Sequence, residues 1–151
     1  MKKYVALILC VCMICTFAVP VGAAQEPVVV YSKTTILDNG MIALDEVLEY
    51  SENSRSTDIT RTRRRTISDN GTTIAVIAFT ATFRYDGNSV SVISKSVTQC
   101  DIYEGWNYTQ TSFTSSGGTV TLNGKLSKWL LINKSFQLTL TCDKNGNISY
   151  T

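Results

Sequence analysis

The sequence predicts an all-β protein, an antiparallel β-sandwich of immunoglobulin-like general architecture that follows a cleaved signal peptide. In its clearest stretch, 72–85, apolar residues alternate with threonine and arginine, the period of a strand with one buried face. Turn-forming combinations of Asp, Asn, Ser and Gly separate several such stretches. Many short strands divided by frequent turns are typical of antiparallel sandwiches, and no stretch outside the leader has a convincing helical pattern.

Residues 1–24 have the pattern of a signal peptide. Two lysines precede an apolar run, which a proline and several small residues follow. We therefore expect cleavage after Ala23 or Ala24 and a secreted, extracellular protein, either free or associated with the cell wall. The apolar run is shorter than the roughly 20 residues of a membrane span, so we expect no retained anchor and no membrane contact after cleavage.

The acidic N-terminal segment, 25–58, predicts a β-hairpin. A β-branched run from Val28 to Ile36 leads into an Asp-Asn-Gly turn at 38–40. Apolar residues from Met41 to Leu48 complete the hairpin, although they also fit a short helix. A polar loop, 51–57, then separates this segment from a β-sandwich domain over 59–151.

Six further strands are expected in the sandwich domain. The first, 59–67, alternates threonine with arginine and turns into the central strand, 72–85. A turn then leads to a serine-rich strand that begins at Val90, and 100–105 is expected to be a connection. The last three strands are expected around 106–113, 120–126 and 136–142.

Arg61, Arg63, Arg64 and Arg65 follow a segment rich in acidic residues, and three interpretations of them stay open. As a strand face, Arg61, Arg63 and Arg65 project together and bind an anionic cell-wall polymer, glycan or lipid headgroup. Alternatively, cleavage after Arg65 frees the basic domain from an acidic pro-segment. The arginines also fit ion pairs with the acidic residues of the preceding segment, with no ligand involved.

Trp129, Leu130, Leu131 and Ile132 form a second candidate site. These four apolar residues lie between two lysines, where two strands are expected to be joined. An exposed apolar tip of this kind inserts into a membrane or contacts a partner protein. The alternative, which is more common in β-proteins, is a buried hairpin end.

No catalytic site, metal site or cofactor is predicted. The sequence lacks histidine, the usual general base and the commonest zinc ligand. Pairs such as Asp45 and Glu49, or Asp101 and Glu104, have the residue types of a glycosidase site, but a solvated acidic surface explains them as well. We therefore expect a protein that is not an enzyme and has no nucleic-acid partner.

Cys100 and Cys142 are the two cysteines that remain after removal of the leader. In an exported domain such a pair predicts a disulfide, which stabilises a protein by roughly 2–4 kcal/mol. Two buried free thiols are the alternative, because the sequence does not show whether the two Cα atoms are close enough to be bridged.

Short motifs are spread along the mature chain: Leu37-Asp38-Asn39-Gly40, Phe83-Arg84-Tyr85-Asp86-Gly87, Trp106, Ser116-Gly117 and the closing stretch 139–146, Thr-Leu-Thr-Cys-Asp-Lys-Asn-Gly. In this combination they resemble an uncharacterised family of small secreted β-sandwich proteins from Gram-positive gut bacteria. The resemblance implies secretion and a sandwich fold, and it implies no activity.

These observations together predict a secreted, non-catalytic binding or interaction module at the cell surface or cell wall. Its expected partners are an anionic cell-wall polymer, a glycan or another surface protein. The alternative function is that of a secreted membrane-active or toxin-like effector with an acidic pro-segment.

Overall fold

Two antiparallel β-sheets stack face to face in the computed structural model, which describes residues 26–37, 40–50, 57–103, 105–129 and 132–151. The predicted all-β antiparallel sandwich is confirmed. The predicted signal peptide lies outside the described residues. The first sheet contains β1 (Val28–Ile36), β2 (Ile42–Glu49), β3 (Asp58–Asp69), β4 (Thr72–Tyr85) and β5 (Val90–Ile102); the second contains β6 (Asn107–Ser116), β7 (Thr119–Lys128), β8 (Ile132–Cys142) and β9 (Ile148–Tyr150).

The strands of each sheet follow chain order, so neighbours in sequence are neighbours in space. Connections within a sheet are therefore hairpins rather than the Greek-key crossovers of immunoglobulin domains. The register places Ile36, Ile42, Asn70, Tyr103 and Trp129 at one end of the sandwich, which we call the Trp129 end. The turns at Asp86, Gly117 and Asp143 lie at the other end, which we call the Asp143 end.

The core lies between the sheets and is built from alternate residues of each strand. In β4 the predicted inward residues are buried as expected, with Tyr85 half-buried at the strand end. Facing them from the second sheet are inward side chains of β7 and β8, which have little or no exposed surface: Val120, Leu122, Leu126, Leu138 and Leu140. The alternation that predicts these strands from sequence is therefore the alternation that fills the core.

The segment after the first turn, which by sequence also fits a helix, is the strand β2 that the predicted hairpin requires, because it pairs with both β1 and β3. Two other elements differ from the sequence-based expectation. The expected connection at 100–105 begins later, since β5 continues through Cys100 to Ile102. As an edge strand that is mostly exposed, β5 accommodates polar residues without an apolar alternation. The short strand β9 has too few residues to give a periodic signal.

The predicted disulfide between Cys100 and Cys142 is absent, and both cysteines are free thiols in the structure. Cys100 is exposed on the first sheet near Tyr108, whose pKa is raised by burial first and by the neighbouring Cys100 second. Cys142 is buried in the second sheet, where its backbone nitrogen donates to the Gly118 carbonyl at the Asp143 end. The two thiols therefore lie on different sheets and towards opposite ends of the sandwich. Burial raises the pKa of Cys142, and partial desolvation of the thiol, followed by the charge of Asp101, raises that of Cys100.

Candidate binding site

The arginines of β3 pair with acidic residues of β2. The antiparallel register places Asp45 opposite Arg65 and Glu46 opposite Arg64. Because successive residues of a strand point to opposite faces, this register divides the charges into an inner and an outer set. On the outer face, Arg64 donates from Nε and Nη2 to Glu46 Oε2 at 2.9 and 2.8 Å. The acidic segment thus supplies counter-charges for the arginines that follow it.

The inner set points into the space between the two sheets. Arg65 donates to both carboxylate oxygens of Asp45, each at 2.7 Å. Arg61 lies 2.8 Å from Glu49 and also donates to the Thr60 carbonyl. These bidentate and charge-assisted contacts occupy guanidinium donors that a ligand would otherwise use.

Arg63 differs from its neighbours because it is only 3% exposed and lacks a close carboxylate. Its Nη2 is 3.7 Å from Asp45 Oδ1, and its Nε and Nη1 have no hydrogen-bond partner in the described part of the chain. The rings of Tyr31 and Tyr150 lie 5.8 and 5.6 Å from its guanidinium carbon. Burial lowers the pKa of Arg63; Asp45 and the two tyrosines oppose this shift, and Arg65 adds to it. The two aromatic rings therefore take the place of the missing acceptors through cation–π contact.

This geometry favours the ion-pair interpretation of the arginines over the other two. Arg63, Arg64 and Arg65 lie in the middle of β3, between β2 and β4, so a protease would have to open the sheet to reach them. Their side chains are buried or paired, so they do not form an open cationic surface. Binding of an anionic ligand by these four arginines stays a prediction.

A cleft of about 300 Å³ opens between the sheets at the Trp129 end. The first hairpin and β3 form one wall, and β7, β8 and the link before β6 form the other. Its lining is mostly apolar, with two cationic side chains: Thr35, Ile36, Leu37, Met41, Arg65, Ile67, Trp106, Leu126, Lys134, Ser135 and Phe136. Small-molecule sites in proteins combine apolar walls with a few polar groups in this way.

Lys134 is the cation of the cleft that has no carboxylate partner among the described residues. It pairs with Leu126, whose side chain is buried, so Lys134 projects towards the interior side of its sheet. On the neighbouring strand Lys125 pairs with Ser135 and projects the other way. Arg65, held by Asp45, lies over the Phe136 ring at 5.7 Å. The cleft therefore presents an ammonium group beside aromatic and aliphatic carbon.

Glycine at position 124 lies against Phe136, one of the wall residues of the cleft. Tyr108 and Phe136 lie on either side of it, with their ring centroids 6.0 Å apart in a stacked arrangement. A Cβ atom at Gly124 would come within 2.5 Å of Tyr108 and 2.7 Å of Phe136. The missing side chain therefore lets two aromatic rings pack over β7.

The sequence-based reasoning missed the cleft because its lining comes from five separate stretches of chain. By sequence, Lys134 is one of the two lysines that flank the apolar tip 129–132. The sequence does contain one indication of this position. Alternate residues of a strand point to the same face, so Lys134 points to the same face of β8 as Phe136, Leu138 and Leu140, which is the inward face.

The predicted apolar tip is only partly open to solvent. Trp129 is 81% exposed and has a φ of 55°, whereas Ile132 is half-buried and packs against the core. Leu130 and Leu131 lie outside the described residues. Trp129 therefore agrees with the exposed tip and not with the buried hairpin end, whereas Ile132 lies between the two expectations.

Comparisons with known proteins show no family for this chain. No family model matches the chain, and a search of curated proteins finds no match. A solved structure of a hypothetical protein from Listeria monocytogenes EGD-e aligns with a TM-score of 0.42 and 15% identity, covering 80% of this chain and 93% of the other. The resemblance to secreted proteins of gut bacteria stays a prediction. Within the described residues, no helix is long and apolar enough to cross a membrane.

Proposed function

We propose that the mature protein is a secreted, non-catalytic binding module of the cell surface, and that its site is the cleft at the Trp129 end. The observation that carries the proposal is Lys134, an inward ammonium group without a carboxylate partner in the described chain, beside apolar and aromatic walls. A buried or half-buried cation favours an anionic ligand, because the local dielectric strengthens the attraction.

The walls of the cleft restrict the ligand further. Trp106 and Phe136 offer aromatic surface, and Met41 and Leu126 offer aliphatic surface. A ligand that fills this space combines a carboxylate or phosphate group at Lys134 with an apolar portion against the rings. The volume of the cleft, about 300 Å³, is at the small end of the range for ligand pockets. The part of the ligand that the cleft binds is therefore a substituent or the end of a chain and not a long polymer segment.

Cosedimentation of the mature protein with purified Gram-positive cell walls tests the proposal. We expect binding at low salt that weakens at about 1 M salt, where the Debye length falls to roughly 3 Å. Lys134→Gln removes a charge-assisted contact and should weaken binding about tenfold. Lys125→Gln is the matched control, because it removes the same charge from the outer face of the adjacent strand. Equal losses in the two variants, or no binding at low salt, would refute the site.

The second candidate, a membrane-active effector with an acidic pro-segment, is favoured by the exposure of Trp129. It requires removal of β1 and β2, which would take away Asp45 and Glu46 and leave Arg65 and Arg64 of β3 without their counter-charges. Release of a dye entrapped in anionic liposomes distinguishes this effector from a binding module. We expect no release by the full mature chain.

A further inference from the structure

We infer that the ligand of the cleft is an extended peptide segment of another protein, which adds a strand to the second sheet along β8. This inference rests on the proposed function and names the class of its partner. The site combines the cleft with the outer backbone edge of β8 at Asn133, Ser135 and Gln137, which we call the β8 edge. The peptide backbone binds this edge, and its inward side chains are the substituents that enter the cleft.

β8 has two neighbouring strands at one end and one neighbouring strand at the other. β7 pairs with β8 along its whole length down to Ile132, whereas β9 pairs only with the stretch from Leu140 to Cys142. Beyond the end of β9, the Thr139 nitrogen still donates to the Thr151 carbonyl. Among the described residues, pairing on this side of β8 ends there.

Three residues of β8 continue this row of backbone groups without a partner. In an antiparallel ladder, one residue forms both of its hydrogen bonds with a given neighbouring strand and the next residue forms none with it. Thr139 bonds on the β9 side, so the N–H and C=O groups of Asn133, Ser135 and Gln137 point to that side as well. Within the described chain no strand pairs with them there. Their backbone groups are therefore hydrogen-bonding positions for one further strand.

The cleft lies where this further strand would lie. The first sheet has five strands and the second has four, of which β9 has three residues. β9 packs over one half of β1, where the rings of Tyr150 and Tyr31 have centroids 3.8 Å apart. The other half of the β1–β2 hairpin has no strand of the second sheet beyond β8 opposite it in the described chain, and there Thr35, Leu37 and Met41 line the cleft. An added strand would cover these side chains and complete the second sheet.

The long edge strands other than β8 carry irregularities that β8 lacks. An extra residue interrupts the pairing of β1 at Val30, and another interrupts that of β6 at Thr111. Two extra residues, Ile93 and Thr98, interrupt the pairing of β5. Bulges of this kind on edge strands hinder the addition of a further strand. β8 pairs with β7 without a register shift, so among the described strands the regular open edge is the one beside the cleft.

The inward side chains of β8 determine which strand fits. Lys134 and Phe136 line the cleft, and an added strand that runs antiparallel to β8, as β7 and β9 do, places its directly opposite side chains on the same face. The position opposite Lys134 therefore favours aspartate or glutamate, and the position opposite Phe136 favours an apolar residue. A strand without an acidic residue is disfavoured, because it would bury the Lys134 ammonium group without a counter-charge. The recognised segment thus has an apolar residue two positions before an acidic one.

Binding of synthetic peptides to the mature protein, measured by fluorescence polarisation, tests the inference. The probe is a labelled, end-blocked heptapeptide of threonine with leucine at its third position and glutamate at its fifth. Methylation of the fourth backbone nitrogen removes a hydrogen bond to the β8 edge and places a methyl group between the two strands, so it should weaken binding about tenfold or more. Methylation of the third nitrogen is the matched control, because that N–H points away from β8, and it should leave the affinity within about twofold. Equal affinities of the two methylated peptides, or no binding of the parent peptide at millimolar concentration, would overturn the inference.

Variants of the protein separate the contribution of charge from that of the backbone. Replacement of the peptide glutamate by glutamine should weaken binding to the wild type about fivefold and should not change binding to Lys134→Gln. Ser135→Pro removes an outward N–H of the β8 edge, where proline is tolerated, and should weaken peptide binding about tenfold or more. Thr34→Pro is the matched control with unchanged affinity. The Leu37 nitrogen donates to the Met41 carbonyl, so by the same alternation the Thr34 N–H points to the open side of β1. Circular dichroism checks that both proline variants are folded.

Cosedimentation with cell walls keeps this inference separate from the proposed function. Ser135→Pro should lose cell-wall binding together with Lys134→Gln. If Ser135→Pro binds cell walls like the wild type and Lys134→Gln does not, the ligand of the cleft is not a strand, and the inference fails while the proposed function stands. Analytical ultracentrifugation examines a second occupant: a wild-type dimer that Ser135→Pro abolishes would assign the β8 edge to a second copy of this chain and overturn the inference.

Discussion

Replacement of Asp45 by asparagine tests whether the inner ion pairs hold the first sheet together. The Asp45 side chain is 6% exposed and is the shared counter-charge of Arg65, at 2.7 Å, and Arg63, at 3.7 Å. Asparagine keeps the shape of the side chain but removes its charge and replaces one acceptor oxygen by a donor. Two arginines would then remain in the interior without an anion.

The expected cost follows from these distances. At an effective dielectric constant of about 20, two unit charges about 4 Å apart attract by about 4 kcal/mol. Removal of one partner of a buried pair typically destabilises a protein by 3–5 kcal/mol, because the remaining charge stays desolvated. We therefore expect Asp45→Asn to lower the free energy of unfolding by roughly 3–5 kcal/mol.

Urea denaturation of the mature protein, followed by circular dichroism, measures this loss. Glu46→Gln is the matched control, since it breaks the Arg64 pair one residue along on the outer face, where Arg64 is more exposed. The control should cost about 1 kcal/mol or less. Equal costs for Asp45→Asn and Glu46→Gln would refute the argument that burial makes the inner pairs different.

Three further predictions concern packing and titration. Gly124→Ala should destabilise the protein by about 1–3 kcal/mol in urea denaturation, because its Cβ meets two aromatic rings, and a neutral effect would contradict the packing described for Tyr108 and Phe136. Tyr108→Phe should leave stability unchanged or raise it, because the buried Tyr108 hydroxyl has no partner in the described chain; a loss above about 1 kcal/mol would point to a hydrogen bond there. The hydrogen bond from the Asn147 side chain, followed by those from backbone nitrogens, lowers the pKa of Asp143 in the folded protein. The ionised Asp143 carboxylate therefore stabilises the fold at pH values above the pKa of the unfolded state, and this stabilisation is lost as the pH falls through the pKa of the folded state. Asp143→Asn should therefore reduce the drop in urea midpoint between about pH 5 and about pH 2, and an unchanged drop would contradict this assignment.

The fold class could be predicted from sequence because each core strand carries its own local signal. Phe79 and Phe83 alternate with threonine and arginine in β4, and glycine or asparagine marks the turns on either side. β5 was predicted too short, because an edge strand with one solvated face has no need of apolar alternation. Its length is fixed by backbone pairing with β4, and backbone pairing is not visible in side-chain types.

The candidate site was only partly predictable. The acidic segment that precedes the basic one predicts ion pairs for Arg64 and Arg65, and such pairs were one of the three interpretations of these arginines. Their individual partners follow only from the β2–β3 register. The cleft could not be predicted without knowledge of how the two sheets pack, because residues that line it, such as Leu37 and Lys134, lie nearly a hundred positions apart in the chain. The exposure of Trp129 was also unpredictable, because apolar character favours burial and only the backbone shows the outward turn.

The division of the chain into two consecutive sheets has a consequence for self-association. All strands of the first sheet precede Tyr103 and all strands of the second follow Trp106. Among the described residues, the backbone hydrogen bond from Gly87 nitrogen to the Lys144 carbonyl, 2.9 Å, is the one that joins the two sheets. The halves are otherwise held by side chains, much as two subunits are. An exchange of C-terminal halves between two copies would break neither ladder, and this is the kind of arrangement in which domain swapping is a low-cost route to a dimer.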